Sequence, residues 1–89
     1  MSITIYTSST GGNLVSKNFN SMQTMVKILT KQEPKVVFID IDLDSKKFAE
    51  EKSGRKGQWP LLFNGEKFIG NYEDIEYLNE DGELAPLLK

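Results

Sequence analysis

Leu61-Leu62-Phe63-Asn64-Gly65-Glu66-Lys67-Phe68-Ile69-Gly70-Asn71-Tyr72-Glu73-Asp74 is the stretch that decides how this chain folds. Two short apolar runs flank Asn64-Gly65. Asn-Gly is the strongest short-range hairpin signal, because both central residues of a type I′ turn need positive φ. The stretch therefore predicts an antiparallel hairpin of Leu61–Phe63 against Lys67–Ile69, with Glu66 as a candidate additional loop residue. Asn71 then predicts the N-cap of a helix from about Tyr72 to Glu80. Asp74 stands at its third position, as in a capping box. Gly82 ends that helix, and Glu83 to Leu88 reads as a last short one.

Working outward, Ile3-Thr4-Ile5-Tyr6-Thr7 is a β-branched and aromatic run that predicts a first strand. Ser8-Ser9-Thr10-Gly11-Gly12-Asn13 is turn chemistry. Val15, Phe19, Met22, Val26 and Leu29 recur at steps of four and three, one apolar face of a helix to about Lys31. Pro34 ends it. Val36-Val37-Phe38-Ile39 is a continuous apolar run that predicts a central strand buried on both faces. Asp44 or Ser45 then caps a helix to about Ser53, and Gly54-Arg55-Lys56-Gly57 reads as a loop. The order β-α-β-α-β-β-α-(α) implies a parallel βαβ unit followed by an antiparallel hairpin. The expected fold class is α/β, with a four-stranded mixed sheet and helices on both faces in one domain over residues 1–89. That is the thioredoxin-like architecture.

Composition narrows the function. An apolar share of 38% and a charged share of 27% suit a globular domain rather than a disordered one. A net charge of −2 leaves no electrostatic footprint for nucleic acid or an anionic membrane. No apolar run approaches a membrane span, so no membrane insertion is expected. Met1-Ser2-Ile3-Thr4 does not begin a signal peptide. Together with the absence of cysteine this points to a cytoplasmic home. Without cysteine or histidine the usual zinc donors are missing. Thiolate chemistry and imidazole acid–base catalysis have no residue to carry them. No catalytic residue, metal or cofactor is expected.

The element order and the C-terminal segment resemble glutaredoxins over nearly the whole chain, most closely from Trp59 to Leu88. Trp59-Pro60 opens the third strand. Phe63-Asn64-Gly65 is followed by Phe68-Ile69-Gly70. Asn71 to Leu84 is similar to the Gly-x-x-Asp turn and Leu-Asn-x-x-Gly-x-Leu ending of that family. Thr7 to Gly12 departs from it, with Ser8-Ser9-Thr10-Gly11-Gly12 where a glutaredoxin carries C-x-x-C or C-x-x-S. That departure, after Ile5-Tyr6-Thr7, resembles the Src-homology-3-domain-binding glutamic-acid-rich-like proteins, thioredoxin-fold proteins that lack the active-site cysteines. Pro60 stands alone beside Trp59 and the chain has no P-x-x-P, which speaks against Src-homology-3 domains as partners.

The resemblance implies a groove built from Thr7, Ser8, Ser9, Trp59, Pro60, Asn71, Tyr72, Glu73 and Asp74. Pro60 would be a cis-proline, leaving the backbone before it free to pair with an extended peptide. Trp59 would floor the groove; the alternative is packing in the core. Asn71 to Asp74 would hold the free end of an amino acid, as glutaredoxins hold the γ-glutamyl group of glutathione; ordinary helix capping is the alternative. Asp40, Asp42 and Asp44 lack the EF-hand spacing, and read as an acidic loop with a helix cap. The expected function is non-catalytic binding of a peptide or protein partner in the former glutathione groove. One alternative is a modulator that binds glutathione weakly, with Lys56 the one basic candidate for its glycine carboxylate. The other is a transferase in which Tyr6, Ser8 or Ser9 activates a thiol.

Overall fold

The computed structural model describes residues 3–54 and 57–88. Met1, Ser2, Arg55, Lys56 and Lys89 lie outside the described residues, and with them the proposed role of Lys56 and the middle of the expected loop. The elements are β1 (Ile3–Thr7), α1 (Gly12–Thr30), β2 (Lys35–Phe38), α2 (Leu43–Ser53), β3 (Leu61–Asn64), β4 (Lys67–Asn71), α3 (Tyr72–Glu80) and α4 (Leu84–Leu87). The sheet runs β2-β1-β3-β4. β1 and β2 are parallel, while β3 is antiparallel to both β1 and β4. This is the expected four-stranded mixed sheet.

β2 is not the central strand that its apolar run predicts. It lies at one edge of the sheet, with Val36 and Val37 half-buried and Phe38 exposed. A run of apolar side chains reports on the two faces of a strand, whereas sheet position is set by its two hydrogen-bonding edges. Central positions fall to β1 and β3, and Leu61, Leu62 and Phe63 are fully buried.

The faces of β3 divide the core in two. Leu62 joins Ile5, Met22, Val26, Ile75, Leu84 and Leu88 beneath α1, α3 and α4. Leu61 and Phe63 join Ala49 beneath α2, with Tyr6, Phe48, Trp59 and Phe68 packed around them. Phe63 is the hub of that second layer. Its ring meets Tyr6 edge-on at 5.1 Å between centroids, Phe68 at 5.5 Å and Phe48 at 5.6 Å.

Turn details differ from the Asn-Gly expectation. Asn64 pairs with Lys67 as the end of β3, so the two loop residues are Gly65 and Glu66. Of this pair only Gly65 has positive φ, at 64°. That fits a type II′ turn, which needs glycine at the first central position alone. One register shift follows: Leu62 pairs with Gly70 but Phe63 with Phe68, leaving Ile69 as a bulge in β4. The cap of α2 also moves. Asp42, not Asp44 or Ser45, is the N-cap, accepting the Ser45 N–H at 3.1 Å. Helix α1 ends at Lys31, held in the left-handed region at φ 61°.

Phe63→Ala is expected to cost about 3–5 kcal/mol, a large part of the roughly 5–15 kcal/mol that holds a domain folded. Equilibrium urea unfolding against Phe63→Leu checks this. Equal midpoints would show that the aromatic cluster does not anchor the second layer.

Candidate functional site

The start of α3 and the segment before β3 build the candidate site. At α3, Asn71 Oδ1 accepts the Asp74 N–H at 3.0 Å, and Asp74 Oδ2 accepts the Asn71 N–H at 3.1 Å. This is a complete capping box. Gly70 makes it fit: a Cβ there would stand 2.5 Å from the Asp74 Cβ. Asn71 Nδ2 donates to Gln58 Oε1 at 2.9 Å, tying the segment before β3 to the start of α3.

Between these elements lies a cleft of about 400 Å³, lined by Asn18, Gln58, Trp59, Asn71, Tyr72, Glu73 and Asp74. That volume is in the range of small-ligand sites. Trp59 and Tyr72 are half-buried, each with part of its ring on the cleft and part in the core. Trp59 thus meets both of the sequence readings. The Trp59–Pro60 peptide bond is cis, and Pro60 itself is fully buried and does not line the cleft.

The β1–α1 turn is built differently. β2 continues past its last strand residue with one more bond, the Ile39 N–H donating to Thr7 O at 2.9 Å. This carries Asp40 to the turn before α1. There its Oδ2 accepts the Ser9 N–H at 2.6 Å, the Thr10 N–H at 3.1 Å, the Ser9 hydroxyl at 2.8 Å and the Thr10 hydroxyl at 3.3 Å. Ser8 Oγ lies 3.0 Å from both carboxylate oxygens. The Ser9 hydroxyl first, and the Ser8 hydroxyl and the backbone N–H groups after it, hold the Asp40 carboxyl below its usual pKa despite an opposing desolvation effect. A carboxylate of the chain itself therefore occupies the backbone and hydroxyl donors of the turn that leads into this helix.

Of the residues expected at the groove, the cleft gathers Trp59, Asn71, Tyr72, Glu73 and Asp74. It does not gather Ser8 and Ser9, which face Asp40, or Thr7, which is 1% exposed with its Oγ1 lacking a partner among the described residues. Two lining residues went unread in the sequence. Asn18 falls three residues after Val15 and four before Met22, a polar residue inside an apolar stripe, and that was its signal. Gln58 had none beyond its place before Trp59. Asp40, which the sequence places in an acidic loop, is exposed, but its bonds reach back 30 to 32 residues. Tyr6, weighed above as a thiol activator, packs against Phe48 and Phe63. Burial, and secondarily the Asp42 charge, raise its phenol pKa. Thiol activation asks for the opposite shift.

Two sets of variants test this geometry. Asn71→Ala is expected to cost about 1 kcal/mol through the lost cap, and Gly70→Ala about 1–3 kcal/mol through overpacking against Asp74; urea midpoints measure both. Asp40 has a depressed folded-state pKa, so its contribution is complete above the unfolded value near 4 and is lost as pH falls through the folded one. The stability gap between wild type and Asp40→Asn should be widest near neutrality and close on acidification. A gap independent of pH would show that the charge of Asp40 does not fasten the turn.

No family model matches the chain. Over 89 residues it is 32% identical to the glutaredoxin domain-containing cysteine-rich protein of Drosophila melanogaster, an alignment covering 98% of this chain. The chain spans only 19% of the length of that relative. Among solved structures it resembles the actin interacting protein Aip5 of C. albicans, with a TM-score of 0.85, 26% identity and coverage of 98% of this chain and 87% of that one. It also resembles a buckwheat glutaredoxin in complex with glutathione, with a TM-score of 0.71, 19% identity and coverage of 97% and 74%. At that identity the second likeness concerns the fold alone. The chain thus has the thioredoxin/glutaredoxin-like fold, and no position of it holds a cysteine.

Proposed function

We propose that this domain is a non-catalytic binding module that holds an extended segment of a protein partner in the Trp59–Asp74 cleft. One observation carries the reading. The cleft is formed, with two aromatic rings and the α3 cap on its wall, while the turn that bears the thiol in glutaredoxins holds only hydroxyls bonded to Asp40. The neighbour named as an actin interacting protein supports a protein partner. Within this reading the domain belongs to the cysteine-free branch resembling the Src-homology-3-domain-binding glutamic-acid-rich-like proteins, and acts in the cytoplasm as an adaptor.

A second reading, a glutathione-binding modulator, draws on the likeness to the buckwheat glutathione complex. Against it, the described cleft lining includes no lysine or arginine for the glycine carboxylate.

A two-dimensional amide NMR titration with millimolar reduced glutathione separates the two. A spectrum left unperturbed retires the modulator. Shifts concentrated at Trp59, Tyr72, Glu73 and Ser8 favour it. For the leading reading, Trp59→Ala/Tyr72→Ala is expected to weaken capture of partners from cell extract by about ten-fold or more. Undiminished capture by a folded double variant would overturn it.

A further inference from the structure

The net charge of −2 hides a division along the chain. Residues 1–67 hold ten lysines and arginines against seven acids. Residues 68–89 hold Glu73, Asp74, Glu76, Glu80, Asp81 and Glu83, with Lys89 as their one basic residue. Three of these acids gather on one face of α3. Glu73, Glu76, Tyr77 and Glu80 follow the i, i+3, i+4, i+7 spacing that puts side chains on one stripe. They line a shallow groove of about 210 Å³. Glu73 also lines the Trp59 cleft, so the two depressions meet there. Tyr77 stands 69% exposed in the middle of the stripe. Among the described residues no basic side chain pairs with Glu73, Glu76 or Glu80; the described ion pair, Lys27 with Glu33, belongs to α1 and the segment after it.

Helix stability does not account for this stripe. Acids favour the first turn of a helix, and Glu73 and Asp74 are placed there. Glu80 is in the last turn, where the dipole disfavours an acid, and no basic residue offsets it.

We propose that this face docks a partner segment in extended conformation with lysine or arginine at alternate positions, running on from the Trp59 cleft. The inference rests on the cleft reading and supplies the chemistry of its partner. Charge complementarity selects a basic occupant. Continuity selects an extended one: Glu73 lines both depressions, so an extended segment in the Trp59 cleft runs on along the stripe, with alternate side chains projecting to the same side. Tyr77 adds an aromatic face on which a guanidinium or ammonium stacks.

The test is an amide NMR titration of the 89-residue chain at low salt with Arg-Ser-Arg-Ser-Arg-Ser, and with Glu-Ser-Glu-Ser-Glu-Ser as the control. The expected result is a saturable shift at Glu73, Glu76, Tyr77 and Glu80 with the arginine peptide alone. It should weaken by about ten-fold or more in Glu76→Gln/Glu80→Gln, and with added salt. Absence of saturable shifts, equal affinity in the variant, or shifts scattered to distant acids such as Asp44 and Glu51 would overturn the proposal. Glu76→Gln/Glu80→Gln leaves Trp59 and Tyr72 in place. A captured partner that needs Trp59 but neither glutamate removes this inference and spares the cleft reading; one that needs the glutamates but not Trp59 removes the cleft reading.

Discussion

The fold depends on β3 pairing on both of its edges while burying both of its faces. Four residues, Leu61 to Asn64, meet β1 on one side and β4 on the other, and send side chains alternately into two separate core layers. Few segments of a small domain satisfy four directions at once. The site follows from that constraint, since β3 begins immediately after Trp59-Pro60 and the strand it pairs with, β4, ends at the capping residue Asn71. Moving β3 by one residue would exchange the core layers of Leu61 and Leu62 and separate the two walls of the cleft.

The approach to α1 is fastened by a charge from elsewhere in the chain. A helix N-terminus offers unsatisfied N–H groups and a positive dipole end, and it is stabilised by a negative charge. Here the negative charge lies just ahead of the helix, in the Asp40 carboxylate past the end of β2, which gathers backbone and hydroxyl donors from Ser8, Ser9 and Thr10. The arrangement joins the edge strand to the central strand and the helix to both. It also sets apart two segments that the sequence reading joins in one groove: the Ser8–Thr10 turn is bonded to Asp40, and the open cleft lies at Trp59 and the start of α3.

Much of this was legible in the sequence. Patterns with local causes read well: the period of α1 and the Asn71 cap with Asp74 state their own geometry, and the hairpin is where Asn64-Gly65 places it, though with the turn one residue on, at Gly65-Glu66. Patterns with non-local causes did not. The valines of β2 announce covered faces but say nothing of which strand lies beside them, so the edge was mistaken for the centre. Asp40, Asp42 and Asp44 are alike in sequence, yet Asp40 bonds back across the chain to the β1–α1 turn and Asp42 caps α2. Their separation was set by where β2 ends relative to β1, a matter of register. Asn18 enters the cleft only because α1 lies across the sheet from Trp59.

The two edge strands carry a further consequence. β2 opens with Lys35 and β4 with Lys67, the one charged residue in each. A long uncharged edge invites a neighbouring copy to add its own strand and extend the sheet without limit. Strands of four and five residues, each beginning with a lysine and one broken by a bulge, make poor templates for that growth. The same lysines thus act as gatekeepers against fibrous association.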